Sequence, residues 1–468
     1  MPYPPLGTLY AATILKNLGH EVIFYDCMLS DDPENFNEKI ISEKPDLTLI
    51  YDDEFNYLTK MCLSNMRKAA LSFIRTSRSL NIPVIIYSSD ATDFYTPYLE
   101  AGCDGIIYGE GETTLQEVVA AFGTGSYYRE RKSIEGLKFL ENNEPVVTPQ
   151  RKTIKDIDEL PLPDYSFVKI DEYRKIWLQN HNYFSLNIST TRGCPYKCNW
   201  CAKPIYGKIY NSRTPGNVIK QIRELKNKYS IDHLWITDDI FGLKPGWIRE
   251  FAAGLQKLNL NIPYKCLSRP DLLLRDDTLL HLKNSGCRTI WIGAESGSQK
   301  ILDAMEKGTT VEQIYDAAEK AHKYGIEIAF FIQFGYSGET WEDIKLTRKM
   351  INECKPEDIG ISVSYPLPGT KFYENVKLQM KNKTNWIDSD DLDMMFSGSY
   401  PKPFYKLLHR FVHAEYRLKQ FSSVKNVKDI LYIVYYFIRF VVFRIKLNKY
   451  LRQGEIRAAE GGEAYQSI

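Results

Sequence analysis

Cys194, Cys198 and Cys201 lie within eight residues, in the run Thr190-Thr191-Arg192-Gly193-Cys194-Pro195-Tyr196-Lys197-Cys198-Asn199-Trp200-Cys201. The spacing is C-x3-C-x2-C, in a loop directly after an apolar, strand-like stretch. Three thiolates can hold three irons of a [4Fe–4S] cube, which leaves the fourth iron without a protein ligand. That open iron can chelate a small molecule through an amine and a carboxylate. Zinc is the alternative, but a zinc site needs four ligands, in spacings such as paired C-x2-C or H-x3-H. No fourth Cys or His stands near in sequence.

The other cysteines, Cys27, Cys62, Cys103, Cys266, Cys287 and Cys354, are scattered. Nine cysteines in all, an odd number in a long chain whose first residues do not read as a signal peptide, point to a reducing cytoplasm rather than a disulfide framework. Cys266 and Cys287 adjoin strands and read as small buried apolar residues. His409 and His413 have i, i+4 spacing without an HExxH pattern, so one face of a packed helix is the expected role. The chain holds 60 basic and 59 acidic residues, for a formal net charge of +1. No Lys/Arg stripe stands out, so nucleic acid is not an expected partner.

The elements that must position the cysteines follow from hydrophobic patterning. At 468 residues, two or three domains are expected. Residues 1–122 alternate short apolar runs with amphipathic stretches. Leu6–Leu18 reads as a helix, Glu21–Tyr25 as a strand, and Asp46–Tyr51, Pro83–Tyr87 and Gly105–Tyr108 as further strands, with a helix over Leu58–Leu80. This pattern predicts a doubly wound, Rossmann-like α/β domain. Its ligand would sit over the carboxyl ends of the strands, at Ser88–Thr92 and Gly109–Glu112. Such a fold ordinarily starts with a strand before its first helix. Either the start codon lies upstream or the sheet is short of that strand.

Residues 123–182 read as an ordered linker with a hairpin (LKFLENNEPVV). Residues 183–384 return to strand–helix alternation, with strands expected at Ser185–Thr190, His233–Thr237, Tyr264–Ser268, Thr289–Ala294, Glu327–Phe334 and Ile359–Tyr365. Six βα units predict a partial (β/α)6 barrel, short of the eight-stranded TIM form. Residues 385–468 read as a helical extension containing a basic amphipathic helix, Phe404–Gln420. The apolar, aromatic run Ile430–Leu447 that follows is interrupted by Arg439, too short and too charged for a membrane span. A helix packed on the barrel or on a partner is expected, with peripheral membrane contact through 430–449 as the other reading.

The cysteine run, with Trp200 before the third cysteine, resembles the signature of the radical S-adenosylmethionine (SAM) superfamily. Thr237-Asp238-Asp239-Ile240-Phe241, Ser268-Arg269-Pro270, Gly293-Ala294-Glu295-Ser296-Gly297-Ser298 and Tyr365-Pro366-Leu367-Pro368-Gly369-Thr370 follow in the family's order. The resemblance implies cluster ligands Cys194, Cys198 and Cys201, and SAM contacts from Trp200, Asp238, Asp239, Arg269, Glu295 and Ser296. Tyr336 and Tyr365, at strand ends, are expected in aromatic packing or along the substrate pocket. Residues 1–122 resemble the cobalamin-binding domain of the subfamily that includes anaerobic Mg-protoporphyrin monomethyl ester cyclase and many radical methyltransferases. That likeness rests on Pro4-Pro5-Leu6-Gly7, Gly19-His20-Glu21-Val22, Ser89-Asp90-Ala91-Thr92 and Gly109-Glu110-Gly111-Glu112. It implies cobalamin contacts from Ser89, Asp90, Gly109, Glu110 and Gly111. D-x-H-x-x-G is missing, so the cobalt would carry no protein imidazole, and His20 reads as a solvated turn residue.

The family chemistry so implied is reductive cleavage of SAM to a 5′-deoxyadenosyl radical, which removes hydrogen from an unactivated carbon. With cobalamin, the expected reaction is methylation of an unactivated carbon or phosphorus. The alternatives are a cyclisation, oxidation or rearrangement without methyl transfer, and a non-catalytic cluster- and cobalamin-binding protein. The expected partners are a small-molecule substrate, lipid-like if the apolar tail is a guide, and an external electron donor of flavodoxin or ferredoxin type.

Overall fold

The computed structural model describes residues 1–30, 32, 34–55, 64–203, 205–380, 394–420 and 427–459, the last eight of these by backbone only. Cys62, residues 58–63 of the expected second helix and the expected boundary at 384/385 lie outside the described residues.

The first sheet has five strands: β1 (Thr48–Tyr51), β2 (Val84–Tyr87), β3 (Gly105–Ile107), β4 (Leu137–Glu141) and β5 (Glu144–Val147), in that spatial order. β1, β2 and β3 are parallel. The Val84–Tyr87 and Gly105–Ile107 runs are buried throughout, as strands covered on both faces must be. β4 and β5 form the expected hairpin, closed by Asn142 and Asn143 at φ 51° and 64°. Two successive left-handed residues make the tight turn that matches strand twist, and Asn tolerates that conformation. The hairpin was expected within the linker. It instead pairs antiparallel with β3, Ile106 opposite Lys138, and so extends the first sheet.

Glu21–Tyr25 corrects a second expectation, because it forms no strand. In a doubly wound sheet it would pair with a strand running into the Leu6–Asn17 helix, and no described residues form one. Lacking a ladder, it packs by side chains: Phe24 stacks on Phe167 at 5.8 Å, and Tyr173 donates a 2.7 Å hydrogen bond to neighbouring Asp26.

The second sheet is a parallel half-barrel of β6 (Ser185–Ile188), β9 (His233–Ile236), β10 (Tyr264–Ser268), β11 (Cys287–Glu295), β12 (Glu327–Phe334) and β13 (Asp358–Val363). Two short strands, β7 (Thr191–Arg192) and β8 (Asn211–Ser212), pair antiparallel between β6 and β9. Alternate residues such as Leu234, Ile236, Cys266, Ile290 and Ile292 are fully buried on the convex face. Helices such as Pro215–Tyr229 and Val311–Lys323 flank these strands and turn buried apolar faces inward. The same core takes in Leu6, Leu9 and Tyr10 of the first helix and Tyr165, Tyr173 and Trp177 of the linker, so the halves share packing.

At the carboxyl end of the chain, the Lys402–Gln420 helix buries Phe404, Leu408 and Phe411 against the barrel, and Arg348 pairs with its Glu415 at 2.8 Å. His409 and His413 face each other on this helix with ring centroids 4.4 Å apart. The Val427–Ala459 helix lies on it, with Phe440 stacked on Phe411 at 5.0 Å and Leu447 buried. Among the described residues no helix is long and apolar enough to cross a membrane.

Candidate active site

The cysteine loop is clasped at its base by the β7–β8 pair, which sets Arg192 opposite Asn211. Gly193 opens it at φ 76°, and a Cβ there would press into the Ile209 carbonyl, so only glycine fits. Lys203 Nζ donates to the carbonyls of Cys194 (2.6 Å) and Tyr196. Asn199 staples the far side. Its Nδ2 donates to the Ala304 carbonyl at 2.7 Å, its backbone N–H to Met305 at 3.0 Å, and its Oδ1 accepts from Tyr336 at 2.9 Å. Tyr336 therefore serves the loop as well as packing on Phe372, with ring centroids 4.9 Å apart. Tyr365 is buried.

The acidic pair at the end of β9 divides its work. Asp238 is buried and accepts from the Thr190 and Thr191 backbone N–H groups at 2.7 and 3.0 Å and from the Thr190 hydroxyl. Burial lifts its pKa to about 6 against the pull of those hydrogen bonds. It anchors the strand that enters the cysteine loop. Asp239 is exposed, and its charge acts on Cys194, whose thiol is pushed up chiefly by burial.

Arg269 and Glu295 meet the cysteine loop through a lysine that the sequence reading did not single out. Arg269 is buried, with Asp271 at 2.9 Å, the Lys307 carbonyl at 3.1 Å, the Tyr196 ring at 3.7 Å and Cys198 Sγ at 4.0 Å. Glu295 sits at φ 59° at a register shift of β11 and pairs at 2.9 Å with buried Lys307. Glu295 and the nearby Cys198 charge hold the Lys307 ammonium above its ordinary pKa, outweighing its desolvation. A Cβ on Gly293 would come within 2.5 Å of both partners, so the pair requires glycine beneath it. Trp200 lies 5.9 Å from Lys307 Nζ, and among the described residues its buried Nε1 has no hydrogen-bond partner, nor has the buried Oε1 of Gln333 on β12. Ser296 is spent internally, bonding Thr347 at 3.1 Å and receiving the Ser298 N–H at 3.1 Å.

Could these groups hold a cofactor? Among the described residues no three His, Cys, Asp or Glu side chains converge on a single metal ion. A [4Fe–4S] cube takes its three sulfurs at separate corners. Around it stand an ammonium, a guanidinium, a carboxylate and two orphaned polar atoms, a set suited to a zwitterionic ligand with a heterocycle.

The first sheet delivers its loops to the same place. Arg192, two residues before Cys194, is buried and pairs with Glu110 at 2.5 Å and with Glu112. Tyr206 donates to Glu54 Oε1 at 2.8 Å beside them. Tyr51 and Tyr87 stack at 4.3 Å over the strand ends, and a Cβ on Gly111 would lie 2.6 Å from the Tyr51 hydroxyl. The Tyr51 and Tyr87 hydroxyls, Glu54 Oε2 and Glu112 Oε2 are buried without partners among the described residues. Four such atoms at one junction are more than folded proteins leave unsatisfied without reason. Asp90 does not open onto this space, since Arg67 grips it at 2.5 and 2.6 Å and Tyr98 at 2.5 Å. Ser89 is buried in the short helix capped by Ser88, and Gly109 takes φ 75° beside Gln150. His20 is exposed at the end of the first helix.

Lys307 and Arg192 carried faint sequence signals. Lys307 precedes Gly308-Thr309-Thr310 and Arg192 precedes the first cysteine, but their acidic partners, Glu295 and Glu110, could be paired with them only in three dimensions.

Comparison with known proteins agrees with this geometry. The Radical SAM superfamily profile matches residues 188–351. An uncharacterized methyltransferase of Pyrococcus horikoshii is 28% identical over 376 residues, 79% of this chain and 78% of its own. The anaerobic magnesium-protoporphyrin IX monomethyl ester cyclase of Rubrivivax gelatinosus is 26% identical over 80% of this chain, which spans 66% of that longer protein. Among solved structures, the cobalamin-dependent SAM radical enzyme OxsB, with aqua-cobalamin and SAM bound, superposes with a TM-score of 0.72. The identity is 18%, covering 97% of this chain and 73% of OxsB, so both halves share its fold. The cysteine loop and most of the half-barrel behind it lie within the segment that this profile matches, so residues 188–351 carry a Radical SAM superfamily domain and the chain is an enzyme.

Proposed function

We propose that the chain is a cobalamin-dependent radical SAM methyltransferase acting on an unactivated carbon or phosphorus of a small molecule. The observation that carries this reading is the junction itself. Arg192, leading into the cysteines, is held by Glu110 and Glu112 from the carboxyl-end loop of the first sheet. A ligand over that sheet is then next to whatever the cysteines hold. Cys194, Cys198 and Cys201 would ligate a [4Fe–4S] cluster, while Arg269, the Glu295–Lys307 pair, Asp239 and Trp200 would orient SAM. The unpartnered hydroxyls of Tyr51 and Tyr87, with Ser89, Gly109 and Gly111 behind them, suit the amide-rich rim of cobalamin. When bound, these groups supply one-electron cleavage of SAM and a transferable methyl group. The protein's own share is to hold them in register and to keep water out. An external one-electron donor of flavodoxin or ferredoxin type completes the scheme.

The test is anaerobic reconstitution with iron, sulfide and hydroxocobalamin, then reduction with SAM. Formation of 5′-deoxyadenosine and S-adenosylhomocysteine, both lost in the Cys194→Ala/Cys198→Ala/Cys201→Ala protein, is expected. Deoxyadenosine without retained cobalamin would instead favour cyclisation or oxidation without methyl transfer, the reading to which the cyclase likeness lends support.

The outer face of the Val427–Ala459 helix suits an anionic lipid surface. Ile430, Leu431, Val434, Tyr435, Phe437, Ile438, Val441, Val442 and Ile445 are all exposed. At 100° per residue they form one stripe roughly 160° wide. Lys428, Lys446 and Lys449 are exposed at its margin or ends, and no acidic residue lies between Asp429 and Glu455. Such a basic-edged apolar stripe matches an interfacial helix. Co-sedimentation with phosphatidylglycerol vesicles, lost in Leu431→Gln/Ile438→Gln/Ile445→Gln, is expected. A concentration-dependent dimer and no vesicle binding would assign the stripe to a second copy.

A further inference from the structure

The concave face of the half-barrel holds a cation and an aromatic wall that the reading above leaves unused. Strand register places Asn187, Trp235, Lys265, Thr289 and Glu327 side by side across five strands. Their neighbours along each strand point to the helices, so these five face inward. The next residues up are Leu267 beside Trp291, then Phe331 beside Gly360. Trp291 and Phe331 lie with ring centroids 4.7 Å apart, and Phe331 is 39% exposed although its strand is internal to the sheet. An aromatic surface left open in the middle of a sheet marks a binding face rather than a folding contact.

Lys265 lies below that wall. Its Nζ is 4.8 Å from the Trp235 ring and 5.5 Å from the Tyr3 ring. It forms no hydrogen bond or ion pair among the described residues. The adjacent carboxylate, Glu327, is committed to Thr289 at 2.6 Å and to Arg288 at 3.2 Å. Lys265 is mostly desolvated, which favours its neutral form and leaves it short of a counter-ion. A lysine left so is a binding group waiting for an anion.

We infer that Lys265 and the Trp235–Trp291–Phe331 wall form the substrate subsite of this enzyme, selecting an amphiphile with one carboxylate or phosphate and an apolar or ring body. This rests on the functional reading above and specifies its substrate class. The acid group sits at Lys265 and the body lies along Trp291 and Phe331. Three to four residues of strand, roughly 10–13 Å, separate Lys265 from the Arg269 end. The far end of such a ligand therefore meets the cysteine loop.

The reconstituted protein with SAM would be titrated calorimetrically with 4-butylbenzoate and with its uncharged counterpart, 4-butylbenzamide. The benzoate is expected to bind about tenfold more tightly or better. Lys265→Met should erase that preference while keeping the amide affinity, Lys265→Arg should retain it, and Trp291→Ala should weaken both ligands. Equal binding of the two by the unmodified protein, no binding of either, or a preference surviving in Lys265→Met overturns the inference. Because binding is read without turnover, failure here with SAM cleavage intact sinks only the subsite. Charge-selective binding without SAM cleavage sinks only the functional reading.

Discussion

At the junction, one buried guanidinium, Arg192, faces three carboxylates, Glu54, Glu110 and Glu112, and charge balance requires protons on the excess. Glu54 takes one: burial and the neighbouring Glu112 push it up to about 8, against the attraction of Arg192. A folded pKa above the unfolded one means that the folded state binds the extra proton between about pH 4.5 and 8. Stability is therefore fully present below that window and falls as pH rises through it, by at most ~1.4 kcal/mol per unit for one proton. Glu54→Gln should flatten the decline of Tm between pH 6 and 8 relative to the unmodified protein, and a matching decline in both would sink the assignment. Gly193 makes a second expectation. Gly193→Ala combines left-handed backbone with a backbone clash, so a loss of about 2 kcal/mol or more and a lower iron content after reconstitution are expected. At this scale the spacing of the cysteines and Trp200 was legible because it is local, while the ligand roles given to them and to Asp239 await the reconstitution assay. Lys307 was not, because its meaning lies in Glu295, twelve residues back on another element. The anchoring role of Asp238 was not legible, since its partners Thr190 and Thr191 follow a different strand, β6.

The strands of the half-barrel were readable almost to the residue, because buried parallel strands are short β-branched runs between helices. The exceptions are instructive. Glu21–Tyr25 has a strand's composition but no neighbour to bond, and strand propensity is realised only in a ladder. The hairpin was legible as a hairpin, yet its edge could not be assigned to a sheet, because pairing partners are not encoded locally. Its turn can be tested directly: Asn142→Ala/Asn143→Ala removes the short polar side chains that let these two residues take the left-handed conformation, and a loss of roughly 1–3 kcal/mol in urea unfolding is expected. Asn143→Gly should be neutral or mildly stabilising. An unchanged unfolding midpoint for the alanine pair would show that the hairpin adds nothing to the first sheet. The Gly293-Ala294-Glu295-Ser296-Gly297-Ser298 run makes the same point for a loop. Its composition marked a turn, but Gly297 is required because a Cβ would enter the backbone of the Trp341–Cys354 helix, and Ser298 is tied to Asp343 at 2.7 Å.

Across the whole molecule, coupling between the halves runs through the chain segment 150–155 as well as through Arg192. The Ile154 N–H donates to Glu110, and the Ile154 carbonyl accepts from Asn211 Nδ2 at 2.7 Å, on the strand that clasps the cysteine loop. Glu110 thus touches the first sheet, the linker and the barrel at once, and the junction behaves as a single network. Breaking it at one point leaves charges stranded: Arg192→Met abandons buried carboxylates, and a buried pair broken on one side costs about 3–5 kcal/mol. Removing all the charges together does not carry that penalty, because neutral replacements need no counter-ion. The quadruple change Arg192→Met/Glu54→Gln/Glu110→Gln/Glu112→Gln should therefore recover most of the Tm lost in Arg192→Met. It should also cleave more readily than the unmodified protein at residues 148–156 under limited trypsin digestion, because orientation between the halves is lost even where stability returns. Recovery of stability with unchanged proteolysis would mean that shared apolar packing, from Leu6, Tyr10 and Tyr165, sets the domain arrangement and the ion network only tunes it. No recovery at all would mean that the Arg192 hydrogen bonds, rather than its charge, hold the cysteine loop against the first sheet.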